Sequence, residues 1–551
     1  MDERTPVARA VLVVNGEIVA LSDNPDEYSE HPVYRHATIN RSFENDVLMP
    51  GFIDPHLHPL MAAVILPMAF ITPEDWSLPR GVFTGVQSPD AYQTRLRQLY
   101  AKFDDTNETD YPFFSWGWHP LWHGEINRAW LSKLAPDRPV FIWHRSFHEI
   151  LTNDAGMRLL GYSNQSEFEL ALQQAGANPE HGDYAAGLFS ETATTIALPA
   201  LGRYLLAPTH LDQGFKDLLA MMRSAGVTTI ADMATGIFAN FDAEALILAN
   251  VFEQESVPAR VLLVPVASNM SQRAGSIDAA VNSMRKREQS WPYTKLLLNN
   301  RFKLFADGAF FSQLMQMREP GYLDGHEGRW LTEPDQLLEQ ASALWNESYS
   351  LHIHVNGDAG LDSVLEALVK IDSANGRDQQ RVTLEHLGYS APDQTKRIAD
   401  LKAAVSAQPN YLYVLSEKFA QYGLGSERAH AMNRLGSLSK AGVRLALHSD
   451  LTMAPVDPLF LAWIATNRKD QSGTTLSPDE QLSLHDGLRA ITIDAAYAIG
   501  LEHQIGSISP GKRADFTALN KDPYDVGASE LRSLTVKGLV FSGGVFKLEL
   551  D

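Results

Sequence analysis

Two histidines separated by a single residue lie just after an apolar segment near the start of the chain. His56 and His58 follow residues 47–53, in which a Pro-Gly bend divides two apolar stretches. In an extended strand, side chains two positions apart point in the same direction, so both imidazoles can reach one cation. Imidazole nitrogen is a common ligand of divalent transition metals. The spacing therefore predicts a metal site where a buried strand ends.

Polar side chains that suit the same chemistry lie at the ends of later apolar runs. They are Lys303 in the run 302–305, His354 in 351–355, Glu385 and His386 after 382–384, and His448, Ser449 and Asp450 after 444–447. Barrel enzymes gather their active sites at the carboxyl ends of parallel strands. We therefore expect these side chains to meet His56 and His58 at one end of a sheet.

The composition limits both the chemistry and the partners. The chain has 551 residues, and its 67 acidic and 46 basic side chains give a formal net charge of −21. This charge repels nucleic acid and anionic membrane surfaces, so neither is an expected partner. Because the chain contains no cysteine, disulfides are excluded, and any metal must be held by nitrogen and oxygen.

The sequence contains neither a secretory signal nor a membrane-spanning segment that we can identify. Residues 1–5 lack the basic and apolar regions of a signal peptide, and the most apolar run, 60–71, is interrupted by Pro67. A cytoplasmic location is therefore expected.

Short apolar or β-branched runs alternate with helical stretches through the middle of the chain. Residues 212–225 and 362–374 have the pattern of helices. Eight runs predict strands, at 47–53, 228–231, 260–266, 302–305, 351–355, 382–384, 404–407 and 444–447. Eight strands alternating with helices are typical of the (β/α)8 TIM barrel, so the predicted fold class is α/β.

The two ends of the chain predict a second, smaller domain. Residues 8–20 contain two strands flanking an Asn-Gly turn, and residues 514–546 contain further short apolar strands. We expect a small β-sandwich domain built from residues 1–48 and 503–551, with the barrel over residues 49–502.

A long interval separates the first two barrel strands and predicts an insertion at about residues 60–224. It contains the aromatic tract 111–123 and an apparent strand at 140–143. Aromatic side chains such as Trp118 serve equally well as core packing or as a wall of a substrate pocket. Substrate specificity is expected to reside in this insertion.

Seven segments together resemble the amidohydrolase superfamily, and most of all its amidohydrolase-3 branch, which includes N-substituted formamide deformylase-like proteins. The segments are residues 50–58, 226–229, 303–308, 354–358, 385–386, 449–450 and 506–516, and they extend over nearly the whole chain. The resemblance implies a (β/α)8 barrel with a flanking β-sandwich, which is the architecture expected above.

The resemblance also implies two divalent metal ions as cofactors. The implied ligands are His56, His58 and Asp450 on the more buried ion, and His354 and His386 on the other. Zinc is the expected metal, with iron, manganese and nickel as alternatives for nitrogen and oxygen ligands. Lys303 would bridge the ions as a carbamate, because a protonated amine cannot ligate a cation. Glu191, in the insertion, is the competing carboxylate for that role.

The implied reaction is hydrolysis of a carbon–nitrogen bond other than a peptide bond, an amide or N-acyl bond of a small molecule. A metal-activated hydroxide would attack the carbonyl, and Asp450 would take up the proton and return it to the departing nitrogen. In the family, the stretch resembling residues 143–148 lies near the substrate. His148, with Trp118 and Glu191, is therefore a candidate substrate contact. The oligomeric state predicted for the chain is a homodimer.

Two other functions are open at this stage. One is a mononuclear deaminase of the same superfamily, in which a glutamate usually lies three residues after the fifth-strand histidine. Here that position is Gly357. The other is a catalytically silent barrel that serves as a binding protein.

Asp307 and Asp358 follow candidate ligands next to glycines, and we expect them to hold loops through hydrogen bonds.

Overall fold

The computed structural model describes residues 7–24, 27–30, 34–105, 111–375 and 380–548. The chain divides into two compact units. One unit combines Met1–Pro59 with Leu219–Asp551, and the other is Leu60–Leu218. The two units differ in their sheets, since the first contains parallel strands and the second a mixed sheet.

The first elements of the chain form a hairpin and the strand that ends at the paired histidines. Asn15 and Gly16 both have a positive φ, as a tight hairpin turn between right-twisted strands requires. The hairpin predicted within residues 8–20 is therefore confirmed. The elements are β1 Ala10–Val14, β2 Glu17–Ser22, α1 Glu27–Glu30, β3 Val47–Pro50 and β4 Phe52–Leu57.

The predicted first strand at 47–53 is in fact two strands of two different sheets. β3 pairs antiparallel with a strand near the C-terminus, whereas β4 pairs parallel with Val227–Thr235. The division falls at Gly51, where an added Cβ would lie 2.3 Å from the Oγ1 of Thr228. A glycine fits here because any larger residue would bring its Cβ into the side chain of Thr228.

The unit Leu60–Leu218 contains a six-stranded sheet flanked by helices. Its elements are α2 Pro59–Ile65, β5 Ala69–Phe70, β6 Trp76–Leu78, β7 Gly81–Phe83, α3 Pro89–Asp104, β8 Phe113–Trp118, α4 Pro120–His123, α5 Arg128–Leu134, β9 Val140–His144, β10 Glu149–Thr152, α6 Asp154–Leu159, α7 Gln165–Ala175, β11 Gly182–Asp183, β12 Leu188–Ser190, α8 Leu198–Leu205 and α9 Pro208–Ser224. The sheet order is β11-β12-β10-β9-β8-β5. The strand predicted at 140–143 is confirmed as β9.

The remainder of the chain alternates strands and helices before it ends in short antiparallel strands. Its elements are β13 Val227–Thr235, α10 Phe241–Phe252, β14 Arg260–Pro265, α11 Ala267–Ala274, α12 Ile277–Gln289, β15 Leu296–Leu298, β16 Arg301–Phe305, α13 Pro334–Asn346, β17 Ser350–Val355, α14 Asp358–Asn375, β18 Val382–His386, α15 Pro392–Asp400, β19 Ala404–Ala407, α16 Asn410–Lys418, α17 Ser426–His430, α18 Leu435–Lys440, β20 Leu445–Leu447, α19 Pro458–Asn467, α20 Leu484–Ala490, α21 Ile493–Ala498, β21 Phe516–Leu519, α22 Pro523–Val526, β22 Val536–Phe541 and β23 Gly544–Lys547.

The candidate ligands belong to two parallel sheets. One has the order β15-β14-β13-β4 and the other β16-β17-β18-β19-β20. Every residue of β4, β13, β14, β18 and β19 is buried. Burial of both faces is characteristic of parallel strands covered by crossover helices, and it explains the continuous apolar runs in the sequence. The fold is therefore α/β, and each of the eight predicted runs contains a strand.

Backbone contacts link the two parallel sheets at two places. Val266 and Lys303 form a single parallel bridge between the segments of β14 and β16. At the second place, the Asp450 N–H donates to the His56 carbonyl at 2.9 Å, and the His58 N–H donates to the Leu451 carbonyl at 3.2 Å. These contacts fix the end of β4 beside the segment that follows β20.

Strands from both ends of the chain share a further sheet, with the order β23-β22-β21-β3. The β1–β2 hairpin lies beside it, because the Ile18 N–H donates to the Lys512 carbonyl at 2.8 Å. A buried ion pair fixes this sheet to the parallel strands. Arg260 on β14 binds Asp515, and their side chains are 2% and 4% exposed.

Among the described residues, no helix combines the length and the apolar character needed to cross a lipid bilayer.

The buried pair of Arg260 and Asp515 gives a stability prediction. Arg260→Leu should lower the free energy of unfolding by about 3–5 kcal/mol, because it leaves Asp515 charged and unpaired in the interior. Urea titration followed by tryptophan fluorescence measures this loss. Lys396→Ala is the control, since that lysine is 81% exposed in its pair with Asp400 and should change stability by less than about 0.5 kcal/mol. Equal effects of the two variants would contradict the prediction.

Candidate metal centre

His56 is held in a fixed orientation by a buried carboxylate. Its Nδ1 lies 2.7 Å from Oε2 of Glu385, and both side chains are at most 1% exposed. A carboxylate accepts a hydrogen bond, so Nδ1 carries the proton and the Nε2 lone pair is available to a cation. Nε2 faces Asp450, with 3.6 Å between it and Oδ1.

His58 extends the same group from the residue after β4. Its Nε2 lies 3.2 Å from Oδ1 of Asp450, and its Nδ1 lies 3.8 Å from Oδ1 of Asp232. His56, His58 and Asp450 each offer a donor atom, and these atoms all lie within 4.8 Å of one another. Nitrogen ligands about 2.0–2.1 Å from a tetrahedral zinc ion are about 3.3 Å apart, so these spacings fit a divalent cation.

A second group contains two further histidines. The donor atoms of His56, His386 and His448 also lie within 4.8 Å of one another. His448 Nε2 is 3.2 Å from His386 Nδ1, and His386 Nδ1 is 3.7 Å from Oδ2 of Asp450. The two groups thus share His56. Oδ1 of Asp450 lies near His58, and Oδ2 of Asp450 lies near His386.

Two of these residues have a backbone conformation that is unusual for residues other than glycine. His386 has φ 73° and Asp450 has φ 51°. Strain of this kind costs about 1–3 kcal/mol and is concentrated at functional sites. At His386 it also ends the alternation of β18, which lets Glu385 and His386 both reach the same group of imidazoles.

Lys303 is buried on β16, next to the residues that hold the imidazoles. It is 1% exposed and lies in register with His352 of β17. Within the described residues, its Nζ has no hydrogen-bond partner, and it lies 5.3 Å from the ring centre of Phe305. Burial lowers the pKa of this amine to about 8. An unpartnered buried amine is costly, so its retention here indicates a role that the protein groups alone do not satisfy.

His354 lies beside His386 but outside the two groups of candidate metal-ligand atoms. The two ring centres are 4.5 Å apart. Asn356 Nδ2 is 3.0 Å from His354 Nε2, and an amide nitrogen is a donor, so Nε2 accepts in this arrangement. The structure thus brings His56, His58, His386 and Asp450 together and places His354 at their edge.

The electrostatics of the site follow from dense packing of titratable groups. Burial, with nearby positive charge, holds the pKa of His56 and of His386 well below the usual value for histidine. Burial also lowers the pKa of His58, but the carboxylates of Asp232 and Asp450 outweigh it and raise that pKa to about 9. A histidine must lose its proton to bind a metal, so ion binding at His58 would release a proton.

Asp307 and Asp358 have structural roles, as their sequence positions predict. Asp307 accepts hydrogen bonds from the backbone N–H groups of Asn356 at 2.8 Å, and of Gly357 and Gln316 at 2.9 Å. Asp358 accepts from the N–H of Arg318 at 2.8 Å. The expectation that these carboxylates hold loops is confirmed.

The remaining sequence candidates belong to the unit Leu60–Leu218. Trp118 is 4% exposed in an apolar cluster, and its indole N–H donates to the Gly124 carbonyl at 3.1 Å. His148 Nδ1 lies 2.9 Å from Oε2 of Glu191, which has φ 43°. Trp118 thus packs among apolar side chains with its indole N–H satisfied, whereas His148 and Glu191 form a partly exposed pair.

The sequence placed Glu385 and His448 among the polar residues at strand ends but assigned neither of them a role in the site. His448 lies two positions before Asp450, the same spacing that drew attention to His56 and His58, so this signal was present. Glu385 adjoins His386, and in a regular strand neighbours point to opposite faces. Its contact with His56, and a second one of 2.6 Å with His352 Nδ1, become visible only in the fold.

Comparison with known proteins places the chain in a family. A sequence model of the amidohydrolase family matches residues 43–546. The protein LONG AFTER FAR-RED 3 of Arabidopsis thaliana is 24% identical over 95% of this chain and 86% of its own length. N-substituted formamide deformylase of Arthrobacter pascens is 25% identical over 97% of this chain and 94% of its own length.

The fold is also similar to a solved structure. An uncharacterized metal-dependent hydrolase from Pyrococcus horikoshii OT3 superposes with a TM-score of 0.67 at 21% identity, covering 94% of each chain. The matched family region includes every strand end that carries a candidate ligand, from His56 to Asp450. The resemblance noted in the sequence is therefore confirmed, and the chain belongs to the amidohydrolase family.

Proposed function

We propose that this amidohydrolase is a metal-dependent enzyme that hydrolyses an amide or N-acyl bond of a small molecule, not a peptide bond. The observation that carries the proposal is the convergence of donor atoms from His56, His58 and Asp450 within 4.8 Å. Two imidazoles and a carboxylate suit zinc and related divalent ions. The 25% identity to a formamide deformylase supports an amide as the substrate class.

In this proposal the predicted ligands serve two cations. The ligands are His56, His58 and Asp450 on one ion, with His354 and His386 on the other. Divalent cations bound there would supply Lewis acidity toward the substrate carbonyl and lower the pKa of water to around 7. Zinc is the proposed metal, and iron, manganese and nickel are the alternatives.

Lys303 is the proposed bridge between the ions. Its buried Nζ has no hydrogen-bond partner among the described residues, so its modification would break no hydrogen bond within this part of the chain. The neutral amine adds to carbon dioxide, which forms a nitrogen–carbon bond and releases one proton. The resulting carbamate has two oxygens that share one negative charge, as a bridge between two cations requires.

Asp450 is the proposed acid–base residue. Its Oδ1 faces His58 at 3.2 Å, and its Oδ2 faces His386 at 3.7 Å, so its carboxylate lies between the two sets of ligands. Burial favours the protonated acid, but the hydrogen bond with His58 and nearby positive charge hold the pKa of Asp450 below its usual value. The carboxylate can therefore accept the proton of the attacking water. It then returns that proton to the departing nitrogen, because an amine leaves only after protonation.

The finer architecture belongs to the same proposal. The strands of the two parallel sheets other than β15 would form one (β/α)8 barrel over residues 49–502, with an insertion at about 60–224. Residues 1–48 and 503–551 would form the β-sandwich domain. Trp118, His148 and Glu191 stay predicted substrate contacts, and a cytoplasmic homodimer stays a prediction from the sequence.

Replacement of the proposed acid–base residue should impair turnover. Asp450→Asn is expected to lower kcat/KM by about 10²–10⁴-fold without loss of the fold, because an amide cannot shuttle the proton. Zinc-loaded enzyme is assayed on N-formyl, N-acyl and cyclic amide substrates, and bound metal is measured in parallel. Asp400→Asn alters a 63% exposed carboxylate and serves as the control. Near-normal turnover of the first variant would refute the assigned role.

Removal of the paired histidines should remove metal. His56→Ala combined with His58→Ala is expected to lose at least one bound ion per chain, because the first cation then loses both of its imidazole ligands. Elemental analysis after dialysis measures the metal content. A double variant of exposed histidines, His485→Ala with His503→Ala, should retain the wild-type content. An unchanged ion count in the first variant would contradict the site.

Loss of the bridge should reduce the ion count from two to one. Lys303→Ala removes the proposed carbamate, whereas Lys295→Ala removes a lysine whose Nζ donates to backbone carbonyls and should leave both ions bound. In wild-type protein, ¹³C-labelled bicarbonate should give a carbamate signal in the NMR spectrum. Full activity with one ion and a harmless Lys303→Ala would instead favour a deaminase. A metal-loaded chain that hydrolyses none of the substrates would favour a binding protein.

A further inference from the structure

We infer that His448 is an additional metal ligand, which binds together with His386 the second of the two cations. This inference rests on the proposed function, because it adds a ligand to the metal centre proposed there. It concerns a side chain that the predicted ligand set leaves out.

His448 lies in the protein interior, immediately after β20. Side chains two positions apart share a face, and Ala446 belongs to the buried core cluster with Ile53 and Met233. His448 itself is fully buried, at 0% exposure. A buried imidazole that ends a barrel strand is in the place where such proteins present their ligands.

The spacing of the imidazole nitrogens fits a shared ion. His448 Nε2 is 3.2 Å from His386 Nδ1, close to the separation of about 3.3 Å between two nitrogens on a tetrahedral zinc ion. One nitrogen binds one ion, so His56 Nε2 cannot serve both converging groups. If His56 belongs to the ion shared with His58, His448 joins His386 and His354 as the imidazoles of the other ion. Oδ2 of Asp450 faces that pair at 3.7 Å from His386 Nδ1.

The other ring nitrogen of His448 has partners that orient it for metal binding. Nδ1 lies 2.7 Å from the hydroxyl of Ser406 on β19 and 3.8 Å from Oε2 of Glu385. The nearby carboxylate charge favours a proton on Nδ1, which then donates to the Ser406 oxygen. This tautomer leaves the Nε2 lone pair directed at the cation, as the outer hydrogen bond of a metal-binding histidine commonly does.

The alternative is that His448 only positions His386. In that arrangement Ser406 would donate its hydroxyl proton to Nδ1, and Nε2–H of His448 would donate to Nδ1 of His386. That hydrogen bond would occupy a lone pair that the second cation needs. The two arrangements therefore make opposite predictions for metal binding when His448 is removed.

The test compares full-length wild-type chain with His448→Ala, Ser406→Ala and the control His123→Asn. His123 is also 0% exposed but belongs, with Val86, to the unit Leu60–Leu218. Its Nε2 lies 2.8 Å from the backbone carbonyl of Val86. Zinc affinity is measured by competition with a chelator, and the number of imidazole ligands per zinc by X-ray absorption. Circular dichroism establishes that each variant is folded.

We expect two zinc ions in the wild type and the control. His448→Ala should lose one ion and lower the imidazole count. Ser406→Ala should keep both ions but bind one about 10–100-fold more weakly. The inference would be overturned if His448→Ala kept the wild-type zinc affinity and imidazole count. It would also be overturned if His448→Ala bound the second zinc ion more tightly than the wild type. If His448→Ala does not fold, unchanged zinc affinity in Ser406→Ala overturns it.

The outcome separates this inference from the proposed reaction. Zinc binding that depends on His448, with no hydrolysis of any amide by the wild type, would support the ligand and reject the proposed function. Amide hydrolysis by a wild type with two ions, together with a His448→Ala variant that binds zinc normally, would reject only the ligand. A wild type that binds no divalent ion would reject both.

Discussion

The hydrogen bond from the Asp450 N–H to the His56 carbonyl is the contact on which the candidate centre depends. At 2.9 Å it joins the first and the last ligand-bearing segments of the chain. The two residues are far apart in sequence, and their side chains meet because their backbones pair directly. The other candidate ligands lie on or beside strands between these two segments, so this contact also limits the distances between their side chains.

Buried carboxylates make this concentration of imidazoles tolerable. Glu385 accepts hydrogen bonds from His56 at 2.7 Å and from His352 at 2.6 Å. Such contacts fix the tautomers, so the remaining nitrogens present lone pairs to the same small volume. Without this acceptor, the buried N–H groups would be left unsatisfied, which is costly in a medium of low polarity. Glu385 therefore supports the site without being one of its predicted ligands.

Strain and an unpartnered amine are further costs that the fold sustains at this place. His386 and Asp450 have positive φ values, and the Lys303 Nζ is buried with no hydrogen-bond partner in the described part of the chain. Stability alone would favour an extended backbone and an apolar side chain at these positions. These residues surround two groups of candidate ligand atoms. Bound cations and modification of Lys303 would offset the free-energy cost of the strain and of the buried amine.

The sequence by itself determined the α/β class and the approximate positions of the eight predicted strands, because parallel strands buried on both faces require apolar runs. It also predicted His56, His58 and Asp450 as partners through a family resemblance. Tertiary structure decided the rest. The bend at Gly51 separates β3 from β4 because of a close approach to Thr228, which lies far away in sequence. Likewise, the roles of Glu385 and His448 depend on distances to side chains on other strands, and spacing along one strand does not specify them.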